Sequence, residues 1–162
     1  PLAYVFKKEL LSVPFFGWAM GRLDMIHIDR SQRAQAFTKV VTQGKRLMDQ
    51  GVWVIMFPEG TRIPRGQKGV YKMGGTRLAI EAGVPVIPIA VTSAKCWPTK
   101  AFIKKPGIVD ISIGKAISSE GRQPEELMQE VENWIEAEMR RLDPDAYPEA
   151  YSETNSETPS KA

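Results

Sequence analysis

The sequence predicts an α/β fold: a single domain built on a largely parallel sheet flanked by helices. Three observations carry this. Short β-prone runs alternate with helix-periodic stretches, the pattern of βαβ units. The run "VWVIMF" (52–57) is continuously apolar, as expected of a strand buried on both faces. A chain of 162 residues with 43% apolar content is long enough for one core.

Taken in order, "LAYVF" (2–6) is the first strand. "KKELLSVPFFGWAMGRL" reads as a broken amphipathic helix, with Pro14 kinking or ending its first part because it lacks an N–H. "MIHIDR" (25–30) is a second short strand, and Ser31 stands where a helix N-cap belongs. Phe37, Val40, Val41, Leu47 and Met48 then recur at helical spacing, with Gly51 as the stop. After the third strand come the turn "PEGTR", a Gly/Lys/Arg-rich loop, and a short helix "TRLAIEA" closed by Gly83. "VPVIPIAV" (84–91) holds Pro85 and Pro88, which marks an interrupted or edge strand, and "GIVDISIG" (107–114) is a further strand. Pro124 opens the final helix, with Glu125 and Glu126 in its first turn and Arg140 and Arg141 in its last. Its apolar stripe is Leu127, Val131, Trp134, Ile135, Met139 and Leu142. The organisation expected is a domain over 1–123, an amphipathic helix over 124–142 and a disordered acidic tail over 143–162.

No run approaches the ~18 apolar residues of a membrane span. A single cysteine, Cys96, excludes an internal disulfide. The net charge of +3 hides an asymmetry. Residues 124–141 hold six Glu against two Arg, and 142–162 hold five acids against one Lys. Between residues 60 and 105, nine Lys or Arg face a single acid, Glu81. An anionic partner (phosphate, nucleic acid or acidic membrane surface) is expected on that basic part, the alternative being a scattered solvated surface.

"FPEGTR" (57–62) ends a buried strand, where α/β sheets place their ligands. Gly60 permits close approach to the backbone, and Arg62 offers a planar fork suited to a phosphate monoester. Glu59 suits either a hydroxyl hydrogen bond or a role holding Arg62 in place. The competing reading is a plain turn with a local Glu–Arg pair.

Several motifs in order resemble the phospholipid/glycerol acyltransferase family, specifically its bacterial 1-acyl-sn-glycerol-3-phosphate acyltransferases. "IHIDR" is similar to the family's second motif, "FPEGTR" matches the third letter for letter, and "VPVIPIAV" resembles the fourth. "KGVYKMGGTRLAIEAG" resembles the segment linking them, with Lys72 at the family's basic position. The resemblance implies Arg30, Glu59, Gly60 and Arg62 as groups that hold the acceptor's glycerol phosphate, with Thr61 and Lys72 beside them. It implies an apolar wall along Val84 to Ile89 and transfer of an acyl group to the sn-2 hydroxyl of lysophosphatidic acid, giving phosphatidic acid. The co-substrate implied is acyl-CoA or acyl-carrier protein, with no metal or organic cofactor. Membrane association follows from the lipid substrates, at the cytoplasmic face of the inner membrane. No feature of the sequence sets an oligomeric state.

One departure matters. The family's first motif, His-x-x-x-x-Asp, supplies the base that deprotonates the acceptor, and it is absent here. It would lie before Pro1, so the sequence is expected to be truncated and, alone, inactive. His27 is followed five residues on by Gln32, sits inside the second motif and is not expected to replace it. Cys96 has no nearby base in the sequence and reads as an inert thiol beside Trp97. "AKCWPTKAFIKKPG" (94–107) mixes aromatics with lysines, fitting either a loop lying on anionic headgroups or a solvated basic loop. The alternative function is a non-catalytic phosphate-binding module. A nucleic-acid-binding domain is disfavoured, since no recognised module or stacking platform is present.

Overall fold

The computed structural model describes residues 1–29 and 33–148. The elements are β1 (Leu2–Lys7), α1 (Phe16–Met20), β2 (Ile26–Ile28), α2 (Arg33–Asp49), β3 (Trp53–Ile55), α3 (Gly74–Ala82), β4 (Ile89–Val91), β5 (Ile111–Ile113) and α4 (Pro124–Leu142). The segment expected as a broken helix is one: Lys8–Ser12 forms a 3-10 turn, and α1 starts only after Pro14. Ser31, expected to cap α2, lies outside the described residues.

β1 is the central strand, with β2 and β3 parallel to it on either side. Parallel neighbours need crossover connections, which α1 with its flanking turns and α2 provide. Val5 pairs with Ile26 and Lys7 with Ile28, while Ala3 pairs with Val54 and Tyr4 with Ile55. The carboxyl ends of the three strands therefore lie at one edge. Continued past Ile55, the same register brings Pro58 level with Lys7 and Ile28.

Alternation along the strands sends Ala3, Val5, Ile26, Ile28 and Val54 to one face. There they meet Val40 and Leu47 of α2 and Leu78 of α3, with Ala3 and Ile26 fully buried. Gly44 lets α3 approach α2, since a Cβ there would lie 3.1 Å from both Leu78 methyl groups. On the opposite face Leu2, Trp53 and Phe57 stay 55%, 60% and 67% exposed. The expectation that "VWVIMF" is buried on both faces is thus corrected. Both α2 and α3 pack on the same side of the sheet, and the run's outward residues are uncovered.

β4 and β5 form a separate antiparallel ladder, extended by a bridge between Val86 and Ile117. Pro85 and Pro88 cannot donate to a ladder, and regular pairing begins only at Ile89, as an interrupted strand requires. α4 packs on α3 and β4 through Leu127, Met128 and Val131. Thr76, buried in α3, donates to the Pro124 carbonyl at 3.0 Å and ties the two helix starts together. No described helix is long and apolar enough to cross a membrane.

The acidic tail expected from Asp143 starts later than the composition suggested. Asp143 is only 2% exposed, Pro144–Ala146 form a 3-10 turn, and Arg140 stacks over Tyr147. Composition marked this stretch as polar, but its polar groups have partners in the loop after β3. Residues 149–162 lie outside the described residues.

Candidate functional site

At the end of β3 the chain turns sharply: the Gly60 amide donates to the Phe57 carbonyl at 3.0 Å, and Gly60 takes φ +64°. That left-handed conformation suits glycine, because a Cβ there crowds the carbonyl oxygen. The loop beyond returns to the turn, where the Lys72 amide donates to the Pro58 carbonyl at 2.9 Å. Gly60, Thr61, Arg62 and Lys72 are thereby gathered at the carboxyl edge of the parallel sheet, and Thr61, Arg62 and Lys72 are exposed there. Arg30 follows β2 in sequence but lies outside the described residues.

Glu59 and Arg62 go separate ways. The Arg62 guanidinium stacks 4.1 Å from the centre of the Trp97 ring, and Lys104 Nζ lies 4.5 Å from the same centre. The Glu59 carboxylate turns toward Gly69, where an added Cβ would come within 3.1 Å of its Oε1. Among the described residues no ion pair joins Glu59 to Arg62. The reading of Glu59 as the residue that holds Arg62 is corrected: Trp97 has that place.

Glu59 instead belongs to a half-buried acidic group. Tyr71 Oη donates to Glu136 Oε1 at 3.1 Å, and Glu136 is buried. Burial first, and the nearby Glu136 second, push the Glu59 carboxyl above the usual carboxylate range. Burial and the charges of Glu136 and Glu59 likewise raise the Tyr71 phenol far above its ordinary value. A carboxyl whose folded pKa is raised contributes its full stability below the ordinary carboxylate range, and loses it as pH rises through the folded value. Glu59→Gln, which removes the charge and keeps the shape, is therefore expected to stabilise the fold at neutral pH by about 0.5–1 kcal/mol. The gain should vanish below the ordinary carboxylate pKa. Urea midpoints of both proteins at the two pH values check this.

The basic loop is largely neutralised from within. Arg65 makes a two-point pair with Asp143, Nε to Oδ2 at 2.7 Å and Nη2 to Oδ1 at 2.6 Å. Lys68 pairs with Glu132, Arg77 with Glu125 at 3.9 Å, and Lys95 with Asp110 at 3.1 Å. Lys95 also donates to the Leu142 carbonyl at 3.0 Å. The acidic helix and the basic loop, read from sequence as opposing surfaces, are largely one another's counter-charges. Among the described residues, Arg62, Lys72, Lys100, Lys104 and Lys105 of this stretch have no carboxylate partner. These are the cations left to meet an external anion.

His27 is occupied. Lys39 Nζ lies 2.6 Å from its Nε2, and an ammonium can only donate, so the imidazole accepts there and carries its proton on Nδ1. Burial first, then Lys39 and Lys8, lower its pKa. A ring whose lone pair is capped by an ammonium is a poor general base. Cys96 packs against Gly107, where an added Cβ would lie 2.9 Å from its Sγ. Among the described residues no group of three His, Cys, Asp or Glu could hold a metal.

Sequence reasoning missed Tyr71, Glu136 and Asp143 as the supports of this loop. Proline at the helix start and the apolar stripe marked α4 clearly, but nothing local in sequence pairs residue 65 with residue 143. Trp97 was legible as a loop aromatic, not as the platform for Arg62.

Residues 1–92 match the family profile described as Acyltransferase. The chain is 46% identical over 147 residues to the 1-acyl-sn-glycerol-3-phosphate acyltransferase of Pseudomonas aeruginosa, covering 89% of this chain and 57% of that protein. It is 32% identical over 123 residues to the mouse 1-acyl-sn-glycerol-3-phosphate acyltransferase alpha, covering 75% of this chain and 43% of the relative. Among solved structures it resembles the 1-acyl-sn-glycerophosphate acyltransferase PlsC from Thermotoga maritima, with TM-score 0.72 and 26% identity over 87% of this chain and 56% of that one. The chain thus spans about half the length of the relatives it matches. Matched in profile over most of its α/β core and in sequence along most of its length, the chain belongs to the acyltransferase family.

Proposed function

We propose that this chain forms the acceptor-holding part of an acyltransferase that acylates 1-acyl-glycerol-3-phosphate at its sn-2 hydroxyl. The observation that carries this is Arg62, placed in the turn after β3, stacked on Trp97 and with no carboxylate partner among the described residues. A guanidinium held on an indole keeps its planar fork oriented, and a phosphate monoester matches that fork. Lys72, pinned beside the turn through its amide, adds a second positive charge. Arg30 is assigned to the same phosphate on the resemblance of its motif. Gly60 and Thr61 line the approach, and Glu59 shapes the loop through its buried carboxyl.

In the overall reaction the sn-2 oxygen attacks the thioester carbonyl of acyl-CoA or acyl-carrier protein. A carbon–oxygen bond forms, the carbon–sulfur bond breaks, and the hydroxyl proton leaves with the thiol product. The balance needs a base and no redox partner or metal. His27 does not suit that role, since Lys39 caps its Nε2. The 162 residues alone are therefore proposed to bind acceptor without turning it over, at a membrane surface on the cytoplasmic side. As a non-catalytic binding module the same residues would behave identically in binding.

The test pairs two assays on this chain: calorimetric binding of a short-chain 1-acyl-glycerol-3-phosphate, and transfer of labelled acyl groups from acyl-CoA. Binding without transfer is expected, and His27→Ala should leave binding unchanged. Measurable transfer would sink the claim that these residues lack a base. Absence of binding would remove the acceptor reading.

A further inference from the structure

The loop from Trp97 to Val109 has a firm base and an unsupported tip. At the base the Lys105 amide donates to the Cys96 carbonyl at 2.7 Å, and Thr99 Oγ1 donates to the Ile63 carbonyl at 3.1 Å. Trp97 Nε1 closes the turn by donating to the Ala101 carbonyl at 2.9 Å. At the tip Phe102 is 99% exposed, with Ile103 and Ile108 at 77% and 79%. Lys100 stands beside the tip in a left-handed conformation, φ +64°. Such a tip gains nothing for folding, because its largest apolar side chains touch almost nothing.

The surrounding charge has one sign. From Ala82 to Val109 the sequence contains no acid, and Lys100, Lys104 and Lys105 flank the apolar pair. Apolar side chains at an apex, ringed by lysines with no carboxylate, fit an anionic bilayer: hydrocarbon below, phosphate at the level of the ammonium groups. A second exposed apolar group, Phe15 with Trp18, sits beside Glu9 and Asp24 in sequence and lacks this uniform charge.

We propose that this loop is a membrane wedge, which seats Phe102 and Ile103 among the acyl chains of an anionic bilayer with Lys100, Lys104 and Lys105 on its headgroups. Trp97 carries Lys104 and Arg62 on the same ring, so the wedge sets Arg62 at headgroup depth. An acceptor phosphate then meets the guanidinium without leaving the interface. That last consequence rests on the acceptor reading, whereas the wedge itself does not.

The test is co-sedimentation of this chain with vesicles of phosphatidylcholine alone, and of equal parts phosphatidylcholine and phosphatidylglycerol. Binding to the mixed vesicles only, weakened by salt, is expected. Phe102→Asp with Ile103→Asp should lower it at least about tenfold. Lys104→Glu with Lys105→Glu should lower it by about fivefold or more per site. Phe15→Asp with Trp18→Asp should leave it unchanged. Phe102→Trp, which keeps the bulk, should retain binding and be quenched by bromine-labelled acyl chains beyond the parent protein. The wedge is overturned if the parent ignores both vesicles, if the Phe102/Ile103 pair binds as the parent does, or if the loss follows Phe15 and Trp18 instead. No acyl transfer is measured, so these results stand apart from those on acceptor binding.

Discussion

Arg62→Ala is expected to weaken binding of a short-chain 1-acyl-glycerol-3-phosphate by about 10- to 100-fold. A charge-assisted bond to an ionised group contributes about 1.5–3 kcal/mol, and each 1.4 kcal/mol is about a factor of ten in affinity. The exposure of Arg62 keeps the figure within that range, since water screens part of the attraction. Arg62→Lys keeps the charge but loses the fork and the flat stacking surface, so it should recover only part of the affinity. Trp97→Ala removes the ring beneath the guanidinium, 4.1 Å away, and should cost a few-fold through lost orientation. A monoacylglycerol, with no phosphate, should show none of these differences. Calorimetry on the three variants decides the matter, and unchanged affinity in Arg62→Ala would reject Arg62 as the phosphate grip.

Arg65→Ala should be the most destabilising single change in the loop, by about 2–3 kcal/mol. It strips both hydrogen bonds from Asp143, whose side chain is 3% exposed, and leaves only Lys95 Nζ at 3.9 Å. The exposed side of Arg65 places the cost toward the low end for a broken buried pair. In the intact protein the Arg65 hydrogen bonds hold the Asp143 carboxyl below the usual carboxylate range, with burial opposing and the charges of Arg65 and Lys95 helping. A depressed folded pKa gives stability that is complete above the ordinary carboxylate range and drains as pH falls through the folded value. The gap between parent and Arg65→Ala should accordingly narrow as the solution is acidified. Urea titrations across that range measure it, and a constant gap would show that the ion pair is not its source.

The order of elements was legible because each carries its own local marker. Pro124 with two following acids starts α4, Gly83 at φ +65° closes α3, and Gly51 at φ +75° ends α2. The site's position was legible too, since a glycine turn after an apolar strand leaves few alternatives. Three things were not. A strand's apolar run reports what could be buried and not which partner covers it, and so Trp53 and Phe57 misled. Charge counts along a chain ignore pairing, and the excess over 60–105 shrank once α4 docked. Glu59 and Arg62 stand three residues apart and suggested a pair, but around a tight turn their side chains diverge toward different neighbours.

The Arg65–Asp143 link has a temporal consequence. Its two ends are 78 residues apart in sequence, and Tyr71 and Glu136 are 65 apart. Closing such long loops is slow relative to local helix formation, since the entropy must be lost before the contact rewards it. On the ribosome β1 to β3 and α3 emerge first and can collapse on α2, while the loop after β3 still lacks its counter-charges. The anion grip is thus expected to be the last part of the protein to set, waiting on the final helix to leave the exit tunnel.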